Sequence, residues 1–175
     1  QCSLMSGMIR YFAAEKQVPV SAFVEDVAAA GGDWLACAAD KIYVQPSSIV
    51  GSIGVISAGF GFEDFIAQHH IKRRLYTAGK DKSMLDPFTP EKTKDITRLK
   101  DIQASLHSQF IGWVKERRGT RLQGADTSLF EGQIFTGAEA LANGFADATG
   151  DVHGVMRDKY GAKVRMIAIE PERPW

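Results

Sequence analysis

Apolar residues recur at helical spacing at Leu4, Met5, Met8, Ile9, Tyr11 and Phe12, and a polar stretch closes that element before Pro19. Residues 18–24 (VPVSAFV) are the next apolar, β-rich run and read as a buried strand. Residues 28–39 are rich in alanine and carry Trp34, Leu35 and Cys37, the pattern of a helix starting directly after that strand. Residues 41–45 (KIYVQ) read as a short strand, and residues 53–56 as another. A helix over 62–70 places Phe62, Phe65, Ile66 and His69 on one side, and a strand follows over 71–77. Thr89-Pro90-Glu91 has the chemistry of a helix start, with Thr as cap and Pro in the first turn. The helix runs to about Arg118, where Gly119 stops it, and its apolar stripe is Ile96, Leu99, Ile102, Leu106, Phe110, Trp113 and Val114. Thr136 and Glu139 have capping-box spacing, Asn143-Gly144 closes that helix, and a helix over 152–160 and a strand over 164–169 complete the chain.

This alternation of strands and helices predicts an α/β fold with a layered, largely parallel sheet. No repeat or low-complexity linker divides the 175 residues, so a single domain is expected. Lys+Arg 21 against Asp+Glu 21 gives no global charge to favour a nucleic acid or an anionic membrane. The uncharged run over 42–62 is interrupted by Pro46, four serines and four glycines, unlike a membrane-spanning helix, and the chain reads as soluble. Cys2 and Cys37 have no metal-ligand spacing and read as buried or incidental thiols. His69, His70, His107 and His153 fall on expected helices or their ends, with no third metal ligand and no serine motif beside them. No cofactor or metal is expected.

The chemistry concentrates at Ala28-Ala29-Ala30-Gly31-Gly32-Asp33. A strand followed at once by a Gly-Gly turn and a helix presents unpaired N–H groups where developing negative charge is stabilised, which makes this turn a candidate oxyanion site. Further on stand Gly51-Ser52-Ile53-Gly54-Val55, then Gly79-Lys80-Asp81-Lys82, then GQIFTGAEALANGFADATG over 132–150. In that order, and over essentially the whole chain, these segments resemble peptidase family S49, the group of signal peptide peptidase A, protease IV and SohB. That family carries Ala-Ala-Ser-Gly-Gly-Tyr, Gly-Ser-Ile-Gly-Val and Gly-x-x-Lys in the same order. The resemblance implies a ClpP/crotonase-like fold and a serine endopeptidase with a Ser/Lys dyad.

Carried over residue by residue, the family's nucleophilic serine falls on Ala30, its general-base lysine on Lys82, the serine that orients the lysine on Ser52, and an oxyanion donor on Gly31. Alanine has no oxygen, so the chain as written forms no acyl-enzyme at position 30. The intact surroundings favour a Ser→Ala replacement in a working peptidase over a natural pseudoprotease that binds peptides or scaffolds a complex. A crotonase-like acyl-CoA enzyme is a third reading, and no carboxylate pair or CoA-binding feature supports it. A lysine base works in its neutral form, so Lys82 is expected in an enclosed, mostly apolar site that lowers its pKa to roughly 7 or 8, aimed by Ser52. Lys80, two residues away, is the rival that spacing alone does not exclude. Asp33 stands where the family has an aromatic residue and is expected as an exposed first-turn acid.

By the same resemblance the substrates are signal-peptide remnants or other hydrophobic or unfolded polypeptides, and the protein is a homo-oligomer associated with the bacterial inner membrane. Membrane contact is expected only through sequence outside this chain. The family's Ser-Pro-Gly-Gly turn, a further oxyanion donor, is expected upstream of Gln1, with at least one more strand and any membrane anchor.

Overall fold

The computed structural model of the chain describes residues 1–170, and within them six strands divide between two three-stranded sheets. Helix α1 (Cys2–Lys16) leads through Val20 into β1 (Ser21–Val24), and β2 (Val27–Ala29) follows after two residues. Helix α2 (Gly31–Ala36), β3 (Lys41–Val44) and β4 (Ile49–Gly51) come next. The first sheet has the order β1-β3-β6, all parallel, with Ser21 opposite Lys41 and Tyr43 opposite Ala148 in β6 (Ala148–Thr149). In the second, β2 lies parallel to β4 with Ala29 opposite Gly51, and β5 (Ile134–Thr136) returns antiparallel on the far side of β4. The expected α/β class with mostly parallel pairing is therefore observed.

The core lies where the two sheets meet the long helix α4 (Thr93–Arg118). Ile42, Val44, Val50 and Ile53 are closed over by Phe110 and Val114 of α4 and by Phe130, Phe135 and Phe145. Phe135 stacks on Phe145 with ring centroids 5.3 Å apart, and Trp34 of α2 meets Phe110 at 4.9 Å. Only the second half of the α4 stripe is core, since Leu106 is exposed. Two expected elements are observed to the residue or nearly so: α6 (Gly137–Asn143), with its Thr136–Glu139 capping box and left-handed Gly144, and α7 (Val152–Tyr160).

Several boundaries differ for identifiable reasons. The expected helix over 28–39 gives its first residues to β2, because Ala28 and Ala29 pair with Val50 and Gly51. The strand expected over 53–56 lies instead at Ile49–Gly51, since Gly51 (φ 94) and Ser52 (φ 54) turn the backbone out of extended geometry. α4 begins at Thr93 and not at Thr89, because Thr89 donates its hydroxyl and its N–H to Asp86 O, both at 3.2 Å, closing a turn before the helix. Residues 71–77 and 164–169 are irregular; Ile71, Leu75, Tyr76, Ile167 and Ile169 are exposed and pair with no neighbouring strand. The helix over 62–70 is observed as α3 (Glu63–Gln68).

Buried polar groups tie these pieces together. The Arg118 guanidinium, 2% exposed, donates to both carboxylate oxygens of Asp147 at 2.9 Å and to Gly144 O at 2.8 Å. Burial pushes the Asp147 carboxyl up, but these bonds and the Ile42 N–H outweigh it and hold the pKa below the ordinary value. Arg117 donates to Cys37 O, Ala38 O and Ala39 O, satisfying carbonyls left open where α2 ends. Asp33 corrects the expectation of an exposed acid: it is 1% exposed, 4.0 Å from the Cys37 thiol. Burial raises its pKa from 3.8 to about 7, against the Gly51 N–H and the Arg118 charge, which lower it.

Arg118→Ala should cost about 3–5 kcal/mol, because it strands a buried carboxylate and a buried carbonyl; a lowered urea midpoint measures it. For Asp33 the folded chain holds a proton that the unfolded chain releases near 3.8. Its contribution to stability is thus fully present below that value and is lost as pH rises to about 7, a change on the order of 4 kcal/mol. Asp33→Asn should flatten the stability profile across that window and be more stable than the parent chain above it, as thermal melts at several pH values would register.

Candidate active site

β2 ends at Ala29 and α2 begins at Gly31, so one residue must turn the chain from strand to helix. Ala30 does so at φ 49, ψ −111, a conformation that costs an alanine about 1–3 kcal/mol and persists only where its surroundings enforce it. They do: Ala30 N–H donates to Gly51 O at 2.8 Å, and Ala30 O accepts the Trp34 N–H at 3.0 Å. A strained strand-to-helix elbow of this kind presents its apex side chain outward. Gly31 and Gly32 follow as the first positions of the helix, where N–H groups have no intrahelical partner. A Cβ on Gly31 would stand 2.8 Å from the Cys2 sulfur of α1, so a larger residue there requires the Cys2 side chain to move.

The same hydrogen bond that fixes the elbow brings Ser52 beside it. Gly51 adopts φ 94, and any side chain there would meet Gln133 O and the Phe135 ring at 2.9 Å, so this position requires glycine. Ser52 follows at φ 54 and donates its N–H to Gln133 O at 2.7 Å. Ile53 is wholly buried, and its carbonyl accepts a hydrogen bond at 3.1 Å from His107 Nε2, which also lies 2.7 Å from Phe130 O. Both partners are carbonyls, so Nε2 is the protonated nitrogen. Ala30, Gly31 and Ser52 are each half-buried, at a surface a polypeptide can reach.

Lys82 lies in the turn over 78–85, its N–H donating to Gly79 O at 3.3 Å, and its side chain is exposed, as is that of Lys80. The enclosed, apolar surroundings expected for Lys82 are not present around it in the single chain. The turn is held instead by Asp81, whose carboxylate accepts from Lys94 Nζ at 2.5 Å. Ala30 and Gly31 are adjacent at the elbow and Ser52 follows the Gly51 that fixes it, while Lys82 lies in an exposed turn.

Two residues at the site escape sequence reasoning, His107 and Gln133, and Asp33 is singled out there but misread as exposed. The signal for His107 exists, because it shares the α4 face of Phe110, Val114 and Arg118 at helical spacing and so belongs to the buried stripe. The signal for the burial of Asp33 is that it is the one charged residue in a run of small apolar ones. Nothing in the sequence points to Gln133, which acts through its backbone. No group of His, Cys, Asp or Glu among the described residues is arranged to hold a metal ion.

Comparison with known proteins gives the chain's family. The Na(+)/H(+) antiporter NhaA of Brucella melitensis is 49% identical over 173 residues, which are 99% of this chain and 23% of that protein. The probable protease SohB of Buchnera aphidicola is 30% identical, over 83% of this chain and 42% of its own length. The putative signal peptide peptidase SppA of Enterococcus faecium is 26% identical, over 76% and 38%. The chain thus spans less than half the length of each of these relatives. The solved structure of the 1510-N membrane-bound stomatin-specific protease is similar at a TM-score of 0.48 and 18% identity, covering 87% of this chain and 60% of that one. The family model of peptidase family S49 matches residues 13–163, most of the sequence, and the chain belongs to that family.

Proposed function

We propose that the chain is the peptidase domain of a serine endopeptidase acting on hydrophobic or unfolded polypeptides, signal-peptide remnants among them. Position 30 is the nucleophile's place, Lys82 the general base, Ser52 the residue that aims it and Gly31 an oxyanion donor. The observation that carries this reading is the elbow: a single strained residue at φ 49, locked by Gly51 O and followed by free helix-start N–H groups, with Ser52 adjoining. Beside the elbow, an open groove of about 540 Å³ runs along β1 and β2, bounded by Gly32, Leu35 and Ala36 of α2, and it offers room for an extended chain.

With serine at position 30, its hydroxyl oxygen would attack the scissile carbonyl as neutral Lys82 takes the proton. The negative oxygen of the tetrahedral adduct would rest on the Gly31 N–H, and Lys82 would return its proton to the leaving amine. Water, activated by the same lysine, would then release the acyl group. With Ala30 the first bond cannot form, so the chain as it stands binds without cleaving. Enclosure of Lys82 comes from outside the single chain: neighbouring copies wall the substrate chamber of a homo-oligomer, and bound peptide completes it. SohB and SppA relatives, and a relative named as a sodium/proton antiporter, favour a place at the membrane. Among the described residues no helix is long and apolar enough to cross one.

Ala30→Ser should give hydrolysis of a hydrophobic fluorogenic peptide. Lys82→Ala in that background should lower the rate about 10²–10⁴-fold, while Lys80→Ala leaves most of it. Retained activity without Lys82 would reassign the base, and absence of any hydrolysis would leave a peptide-binding pseudoprotease. Light scattering should give the mass of a multimer; a monomeric mass at working concentration would remove the proposed source of the enclosure.

A further inference from the structure

The mechanism above makes no use of His107, yet this side chain is the one polar contact from α4 to the segment that carries Ser52. Its Nε2–H is shared between Ile53 O at 3.1 Å and Phe130 O at 2.7 Å. One residue upstream, Ser52 N–H is held by Gln133 O at 2.7 Å. One residue downstream, Gly54 packs so closely on residue 132 that a Cβ would stand 3.4 Å from the Gly132 Cα. The backbone over 52–54 and the loop over 130–133 are therefore zipped together, and His107 is the fastener at their meeting point.

We infer that His107 is a positioning residue of the proposed site: by gripping the Ile53 and Phe130 carbonyls together it fixes the course of the Ser52–Ile53–Gly54 backbone, and with it the direction of the Ser52 hydroxyl. The inference rests on Ser52 belonging to the site, as proposed above. The need for such a grip follows from the backbone. Gly51 and Ser52 both take positive φ, a pair of turns that residue preference alone does not maintain at a serine. Ile53 fills the core, but an apolar contact does not fix rotation about its neighbouring bonds, whereas a directional N–H bond to its carbonyl does. The geometry also excludes a role for Nε2 as a general base, since its proton is committed to two carbonyl oxygens. Protonation of the ring's other nitrogen leaves the Nε2–H in place, so the grip holds in either charge state.

Two measurements test this. In the chain as it exists, amide hydrogen exchange at Ser52, whose N–H is held by Gln133 O, is followed by NMR in the parent, His107→Phe and His107→Gln, the last keeping an N–H donor near Nε2. His107→Phe should speed exchange at this amide about tenfold or more while amides of α6 and α7 are unchanged, and His107→Gln should restore most of the protection. In the Ala30→Ser background, His107→Phe should lower kcat about tenfold with KM within about twofold, His107→Gln should recover most of kcat, and the pH–rate profile should keep its shape in all three. Unchanged exchange at Ser52 in His107→Phe overturns the inference whatever the activity. So does a pH limb that vanishes in His107→Gln, because His107 would then be titrating in the reaction. Should Ala30→Ser be inert, the peptidase reading falls, and the exchange experiment alone decides whether His107 holds the segment. If His107→Phe fails to fold, His107→Asn, whose shorter amide cannot span both carbonyls, takes its place with the same expected losses.

Discussion

The hydrogen bond from Ala30 N–H to Gly51 O, 2.8 Å long, is the last rung of the β2–β4 ladder, and the rest of the site is arranged around it. It ends the strand, forces the next residue into the left-handed region and so starts α2 with its first N–H groups facing outward. From its other partner it launches Ser52 in a fixed direction. Lengthening the link between β2 and α2 by one residue would relieve the strain at Ala30 and lose the elbow. The small residues around it follow from this closeness, because helix, strand and the start of α1 approach within a side chain's width.

Much of this frame is legible in the sequence, and the parts that are not share a physical cause. The capping box at Thr136, the Gly144 terminus and α7 are local events decided by a few adjacent residues. The stripe of α4 is equally visible, because helical period survives any tertiary context. The strands at 27–29 and 49–51 are hidden, since three-residue elements owe their existence to each other and not to propensity. Asp33 is misread for a related reason: in the first turn of a helix an acid ordinarily faces water. Here α2 is only six residues long and packs on α1 and β2, and the Gly51 N–H and the Arg118 charge act on the Asp33 carboxylate.

The cluster at Ala30, Gly31 and Ser52 and the exposed position of Lys82 describe two different degrees of construction. Strain, close packing and buried hydrogen bonds specify the elbow within one chain. A lysine in a turn fastened by one surface ion pair has no such determinants, and surface pairs of that kind contribute about 1 kcal/mol or less. Recognition of the elbow could therefore be made from backbone geometry, while the assignment of Lys82 draws on the family pattern alone.

The bond between Ile42 N–H and the Asp147 carboxylate, at 2.7 Å, closes a loop of 105 residues. Together with the two-residue strand β6 it finishes the first sheet. During synthesis the β3 edge is therefore made long before its cover, and stays open to any strand that reaches it until residue 147 has left the ribosome. Such distant closure is slow, because a long loop must lose its entropy before the contact repays it. A chain truncated before Asp147 would retain most of the apolar residues but leave Arg118 without its buried partner and that sheet without its last strand, a species prone to associate through its edge.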